Sequence, residues 1–592
     1  MAIQANFPAI KPSLLLDFAN TKQLDPRITF TRASTASFYN GVTTAKAEEN
    51  LVLQSQTFEN ASWTYNAVAV TANTATAPDG TTTADTFAFL DTATARGYQA
   101  FVGNGSSYTF SVYVKYIDKQ WIYLRLTDSG STPRYVWFDI QNGTIGTTET
   151  GITASITAST NGFYRCVATI STSVSGNFAM VGGVNANTSV SNVGQTGSLY
   201  IWGAQLEQRS AVTAYTATTT QAITNYIPAL QSAASGVARF DHNPTTGESL
   251  GLLIEESRTN LNVYSSDFSN AVWTKVQGSI TANIIVAPDG TLTGSKFVES
   301  TATTTQHNVY QIGRTIGATS NTASVYLKAG ERTAVYFVIY DVSTNAGAYF
   351  NLANGTITST DSGVTSSITS VGNGWYRCVI TRTTASTANG GMNVFINSGS
   401  TSYTGDGFSG IYIWGAQLEA GAFATSYIPT VASQVTRAAD NASMTGTNFS
   451  TWFNASEGTL YVDAIADATA SGASRFIGIT NASGTTQIDI YRNTGSVFGY
   501  VFSSGAAQAN MSLGSVAAQS SFKATLAYKT NDVAGSSNGA VVVTDTSATI
   551  PVVDRMFIGS SSGSFQWSNS PIKKIAYYPL RVTNANLQAL TS

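Results

Sequence analysis

A tryptophan and a glutamate recur in one short phrase at two places in the chain. Residues 199–207 read LYIWGAQLE and residues 411–419 read IYIWGAQLE, 212 positions apart. Trp202 and Trp414 could stack a sugar ring, and Glu207 and Glu419 could carry acid–base chemistry. A glycosidase, however, needs two carboxylates at a set separation across the scissile bond, and each phrase offers one. Asp139 becomes Asn351 in the second copy. Asp128 and Asp341 are both kept, but they precede turns, where a short carboxylate caps backbone N–H groups. Arg165 and Arg377 sit beside aromatics on a predicted strand. A buried glutamate needs a partner, so an internal Arg–Glu pair is expected in each copy. Because both copies keep the phrase inside an apolar run, Trp202 and Trp414 are expected to pack between sheets.

Other residues with chemical potential are sparse. Trp63 and Trp273, near the start of each copy, are candidate ligand contacts on a rim. Asp79-Gly80 and Asp289-Gly290 form tight turns. Calcium would want six to eight oxygens, more than these turns show, so no cofactor is expected, with Ca2+ at these turns the one metal considered. His242 and His307 are far apart and not duplicated, which gives no metal cluster or triad. No Gly-rich phosphate loop or Cys-x-x-Cys occurs. Cys166 and Cys378 hold equivalent positions in the two copies, so buried free thiols are expected rather than a disulfide within one domain. No catalytic residue is assigned, and the chain is expected not to be an enzyme.

The elements that must position these residues are β-strands. The chain has 592 residues, a net charge of -3, 11% charged and 43% hydrophobic residues, and 51 glycines. Its length allows roughly three or four domains. So little charge excludes a basic nucleic-acid footprint, and so much aromatic and β-branched material excludes disorder. The N-terminal MAIQANFPAIKPSLLLDFANTKQ lacks a signal-peptide core, and no segment reads as a membrane span.

The duplication extends well beyond the phrase. Asn50-Leu51 returns as Asn260-Leu261, Ala77-Pro-Asp-Gly80 as Ala287-Pro-Asp-Gly290, and Asn161-Gly-Phe-Tyr-Arg-Cys166 as Asn373-Gly-Trp-Tyr-Arg-Cys378. Period-two segments at 108–116 and 121–126 have counterparts at 323–328 and 334–340. Asn142-Gly143 and Asn354-Gly355 are turn signals. These features predict tandem jelly-roll β-sandwiches over 50–220 and 260–430. Residues 431–592 read as at least eight further strands and a short helix over 584–590 capped by Thr583. Residues 1–49 form an arm too short for its own core. It is expected to pack on later domains of this chain, on a neighbouring subunit, or on a larger assembly. Residues 221–259 are a linker and hairpin that could equally pair with that arm.

A set of anchors carries a family resemblance: Asp17-Phe18, Asp25-Pro-Arg-Ile-Thr-Phe-Thr-Arg32, Arg239-Phe-Asp-His242, Gly251-Leu-Leu-Ile-Glu-Glu-Ser-Arg-Thr-Asn260 and Ile575-Ala-Tyr-Tyr-Pro-Leu-Arg581. With these the chain resembles tailed-phage virion proteins, either tail-fibre, tail-tip or head-decoration components. The repeats resemble carbohydrate-binding-module jelly rolls, and the last domain a laminin-G or concanavalin-like sandwich. One departure is that Glu48-Glu49-Asn50 runs straight into the first repeat, as if that repeat were inserted into the leader. The resemblance implies an all-β protein on the external surface of a virion, in the tail or head. Its implied partners are other virion proteins, a host cell-surface glycan and further copies of itself, as a homo-oligomer such as a trimer. Nucleic acid is not an expected partner. Three functions compete: glycan display, a purely structural adaptor, and a polysaccharide depolymerase with a groove between subunits.

Overall fold

The computed structural model describes residues 11–173, 176–341, 344–468, 472–503, 505–563 and 565–592. It is all-β. Each repeat is a jelly roll of two facing six-stranded sheets. In the first repeat one sheet runs Thr144–Thr148, Pro133–Asp139, Trp121–Thr127, Asn177–Val184, Ala95–Phe101, Thr64–Asn66. The other runs Ile152–Ala158, Tyr164–Ser171, Ser107–Tyr116, Gly197–Glu207, Ala84–Phe89, Val68–Ala75. The second repeat reproduces this order and its register. Trp121 pairs with Asp139 and Val184, and Ala334 pairs with Asn351 and Asn397 at the same places. Alternate residues such as Val112, Val114, Ile122 and Leu124 fill the space between the sheets, as the two-residue period requires.

The duplicated phrase marks a bulge in the strand. Pairing with Ser107–Tyr116 slips between Trp202 and Gln205, and Gly203 has φ +61°. Gly415 has φ +64° at the same point of the second copy. An extra residue in left-handed conformation, which glycine tolerates, resets the alternation. Leu199 and Ile201 face the sandwich core before the bulge, and Ala204 and Leu206 face it afterwards. Trp202, which alternates with Leu199 and Ile201, points to the outer face with Tyr113 and Tyr215, and the bulge after it brings Ala204 back to the core. Trp414 is turned out likewise, with Tyr326 and Tyr427. Both tryptophans are buried, but in a second layer outside the sheet rather than between the sheets.

That second layer joins the domains. In the layer with Trp414 are Tyr39, just after strand Ala36–Phe38, and Ala47 and Ile227 from the ribbon formed when Thr44–Asn50 pairs with Ile223–Pro228. Over the first repeat lies the second, where the N–H of Ala214 donates to the carbonyl of Ile284 at 2.6 Å.

The last sandwich draws on the whole chain. Its eight-stranded sheet includes Leu14–Asp17 and the hairpin Arg239–His242/Ser249–Ile254, both paired with Ser570–Tyr578. Its seven-stranded sheet begins with Thr29–Thr31 beside Asn441–Thr445. The segments expected as an arm over 1–49 and a linker over 221–259 thus supply strands here. Leu14, Leu16, Phe18, Leu252 and Ile254 lie in the sandwich's core, because neither segment can bury them alone. Residues 1–10 of the expected arm lie outside the described residues. Helix Asn584–Thr591 closes the chain, and Thr583 Oγ1 accepts from the N–H of Asn586 at 3.4 Å.

A buried ion cluster sits where these segments meet. Arg32 Nη1 lies 2.9 Å from Asp440 Oδ1, Arg239 Nη2 lies 2.5 Å from Asp440 Oδ2, and Arg239 Nη1 lies 2.8 Å from Glu255 Oε2. Arg437 Nε adds a contact of 3.6 Å to Glu255.

Candidate functional site

Neither tryptophan proposed from the sequence as a ligand contact reaches a rim. Trp63 is 4% exposed and Trp273 1%. Their indole N–H groups donate to the carbonyls of Gln54 at 3.1 Å and Tyr264 at 2.9 Å. Their rings lie against Phe58 and Phe268 at 4.8 and 4.4 Å. They are core residues of the two sandwiches.

The expected Arg–Glu pairs are bridged rather than direct. Arg165 Nη1 donates to the carbonyl of Thr213 at 2.7 Å, and Glu207 accepts the N–H of the same threonine at 3.0 Å. In the second repeat Arg377 and Glu419 bracket Thr425 in the same manner. Burial pushes the Glu207 carboxyl above its ordinary value, opposed by the Thr213 hydroxyl and N–H. Asp128 caps its turn through the N–H groups of Gly130 and Thr132. Asp341 instead pairs with Arg382 at 3.0 Å. Asp79 and Asp289 each accept from the threonine two residues on, within their own turns. Among the described residues there is no group of three or more His, Cys, Asp or Glu side chains that could hold a metal ion.

The surface suited to a ligand is the outer face of one sheet in each sandwich. In the first repeat, the side chains alternating with the core residues form a continuous aromatic platform. The hairpin register sets Tyr123 beside Trp137, Arg125 beside Tyr135, and Arg125 beside Met180, with Tyr98 next in that row. The Tyr135 and Trp137 rings stack at 5.7 Å, Tyr123 meets Tyr135 edge-on at 5.2 Å, and Tyr98 meets Phe178 edge-on at 5.1 Å. Arg125 lies 5.2 Å from the centre of Phe178, and Arg96 lies 6.0 Å from the centre of Tyr98. Trp121, Tyr135, Tyr98, Phe178 and both arginines are partly exposed, while Tyr123, Trp137 and Met180 form the floor. Gly182 is required here, because a Cβ at that position would come 2.2 Å from Cζ of Tyr123. The Tyr123 ring thus lies flat across the glycine, and burial pushes its hydroxyl up to about 12, against the pull of Arg96.

The second repeat presents Tyr336 stacked on Tyr349 at 4.2 Å, with Phe395 at 5.8 Å. The Tyr336 hydroxyl donates to Asp361 at 2.6 Å. The last sandwich presents Tyr491 stacked on Phe498 at 5.1 Å and Tyr500 stacked on Phe502 at 5.9 Å. Arg475 lies 4.7 Å from the Tyr491 ring and is paired with Asp489 at 2.6 Å. A separate cleft of about 310 Å3 between the repeats is lined by Glu48, Thr213, Tyr215, Lys328, Glu331 and Tyr412. Its charges are engaged with their neighbours, Glu48 with Lys328 and Glu331 with Lys296.

Sequence reasoning passed over the platform, although its signal was present. Trp121 and Tyr123 alternate with Ile122 and Leu124, and Tyr135 and Trp137 with Val136 and Phe138. A strand apolar on both faces has a second surface to account for.

No protein family and no curated protein match the chain. Solved structures do. The CBM40 of a Ruminococcus gnavus IT-sialidase, bound to α2,3-sialyllactose, is 12% identical and aligns over 24% of this chain and 88% of its own, with a TM-score of 0.22. Domains LG4-5 of the mouse laminin α1 chain are 8% identical over 46% of this chain and 85% of theirs, with a TM-score of 0.17. A Trypanosoma rangeli sialidase in complex with the inhibitor DANA is 10% identical over 94% of this chain and 98% of its own, with a TM-score of 0.21. That last finding corrects the expectation of a non-enzyme: enzymes stand among the structures this chain is similar to, and the exclusion is withdrawn. These likenesses assign no activity to the chain.

Proposed function

We propose that the chain is a structural protein of a tailed-phage virion that displays its sandwich domains to glycans of the host surface. The observation that carries the glycan half is the occurrence of a partly exposed aromatic face on each of three sandwiches. Aromatic faces bind the apolar side of sugar rings, with hydroxyl and amide groups at the margin fixing orientation. Each face is shallow, so each contact is weak. Three faces on one chain, multiplied in a homo-oligomer, give useful avidity. The virion half rests on the anchors in the leader, the hairpin and the last strand. Its partners are other virion proteins, and its place is the external surface of the tail or head.

A printed glycan array probed with the assembled protein tests the first half. Retention is expected, and Tyr135→Ala and Tyr349→Ala should weaken it about tenfold each, at a stability cost of about 1 kcal/mol that leaves each variant folded. A blank array for correctly assembled protein would leave the structural-adaptor reading in its place. The buried ion cluster, which ties the leader and the hairpin to the segment after the second repeat, favours that second reading. Antibody labelling of particles tests the virion half.

A further inference from the structure

The three aromatic faces differ in charge, and the difference selects a ligand. Arg96 and Arg125 flank the Tyr98–Phe178 pair on the first face. Among the described residues neither makes an ion pair, and the Nε of each is buried without a hydrogen-bond partner. Carboxylates on or beside the strands of this sheet are engaged elsewhere. Glu149 accepts from the N–H of Tyr135 at 3.0 Å, Asp128 pairs with Arg134 at 2.7 Å, and Asp139 accepts from Gln120 and Asn142. In the second repeat the register puts Asn308 where Arg96 stands and Val338 where Arg125 stands. There Asn308 spends its amide on Asn393 at 3.0 Å. On the last sandwich the arginine is matched by Asp489.

Among the described residues the contacts of these two guanidiniums are aromatic faces and, for Arg125 Nη1, the Met180 thioether at 3.9 Å, and no carboxylate balances their charge. The geometry of a guanidinium matches a planar carboxylate through paired N–H donors. The protein as a whole is acidic, with a net charge of -3, so general attraction of polyanions does not account for this local pair of cations. We infer that the outer face of the first repeat is a site for an anionic saccharide. The charged group engages Arg96 and Arg125, and the sugar ring lies on Tyr98, Tyr135 and Phe178. The second repeat and the last sandwich take neutral saccharides. This inference rests on the glycan-display reading and narrows it.

The test uses the whole chain on an array printed with neutral, carboxylated (uronate- and sialate-bearing) and sulfated oligosaccharides. Carboxylated members should be retained. Arg96→Gln and Arg125→Gln should each weaken that retention about tenfold, leave neutral members unchanged, and leave the thermal unfolding midpoint within a degree or so. Raising salt from 50 to 500 mM should weaken the anionic hits only. Retention of sulfated members alone would assign the charge to sulfate. Retention of neutral members alone, or of anionic members insensitive to both substitutions, would overturn this inference while leaving glycan display standing. An empty array would remove both.

Discussion

Arg32 and Asp440 stand 408 positions apart in the chain and 2.9 Å apart in the fold. Asp440 also takes Arg239 and accepts the N–H of Glu255, so one carboxylate ties together the leader, the hairpin and the segment after the second repeat. All three side chains in these two ion pairs have no exposed surface. Removing one partner of a buried pair strands the others, at about 3–5 kcal/mol. Asp440→Ala should therefore lower unfolding stability by that amount in a urea titration. A loss under 1 kcal/mol would show that the cluster holds little together.

The pH dependence of stability should have a maximum. Burial pushes the Asp489 carboxyl up to about 7, from an ordinary 3.8, despite Arg475 at 2.6 Å. A carboxyl raised on folding costs stability wherever it is ionised, so stability rises as pH falls from about 7 toward 3.8. Glu255 has the opposite sign. Burial raises it, but Arg437 and Arg239 outweigh burial and hold it below the usual range. Its contribution is complete above 4.5, the ordinary value, and is lost as pH falls through the lowered one. Urea midpoints followed against pH should peak between the two, and Asp489→Asn should make the upper limb shallower, leaving the part that Asp85 and Asp241 supply, whose carboxyls burial pushes up to about 6.

Trp63→Phe and Trp273→Phe should each cost about 1–3 kcal/mol through a poorer fit and a stranded carbonyl. Neither should change retention on a glycan array. A selective loss of glycan with stability intact would return these residues to the binding surface.

Cys166 and Cys378 are fully buried, and burial raises both thiols. Native protein should react with a disulfide reagent over hours, and protein in 6 M guanidinium within seconds, titrating 2 thiols per chain. Rapid reaction of the native protein would mean that a sandwich opens locally.

Local features of this fold were legible in the sequence. The duplicated phrase, the Asn142-Gly143 turn and the Thr583 cap each leave a signature within a few residues. The strand pairings of the leader were not. Leu16 pairs with Ile575, and a pairing across nearly the whole chain has no local trace. The outward face of Trp202 follows from its alternation with Leu199 and Ile201, but the reset at Gly203 puts Ala204 and Leu206 in the core as well, so the apolar run as a whole does not show which face Trp202 takes. The Arg165–Glu207 expectation had the right residues but missed Thr213, which arrives from the following loop. The first aromatic face needed only the question of what lies on the other side of Ile122 and Val136.

Strand Ser570–Tyr578 lies between Glu457–Ile465 and the early segments Leu14–Asp17 and Ser249–Ile254. During synthesis those early strands leave the ribosome long before their partner exists. The two jelly rolls can close as they emerge, but the last sandwich waits for residue 578. A prematurely terminated product would keep both rolls yet expose unpaired edges and apolar side chains. Closure of the last sandwich is therefore deferred until strand Ser570–Tyr578 has been made, whatever the order in which the jelly rolls fold.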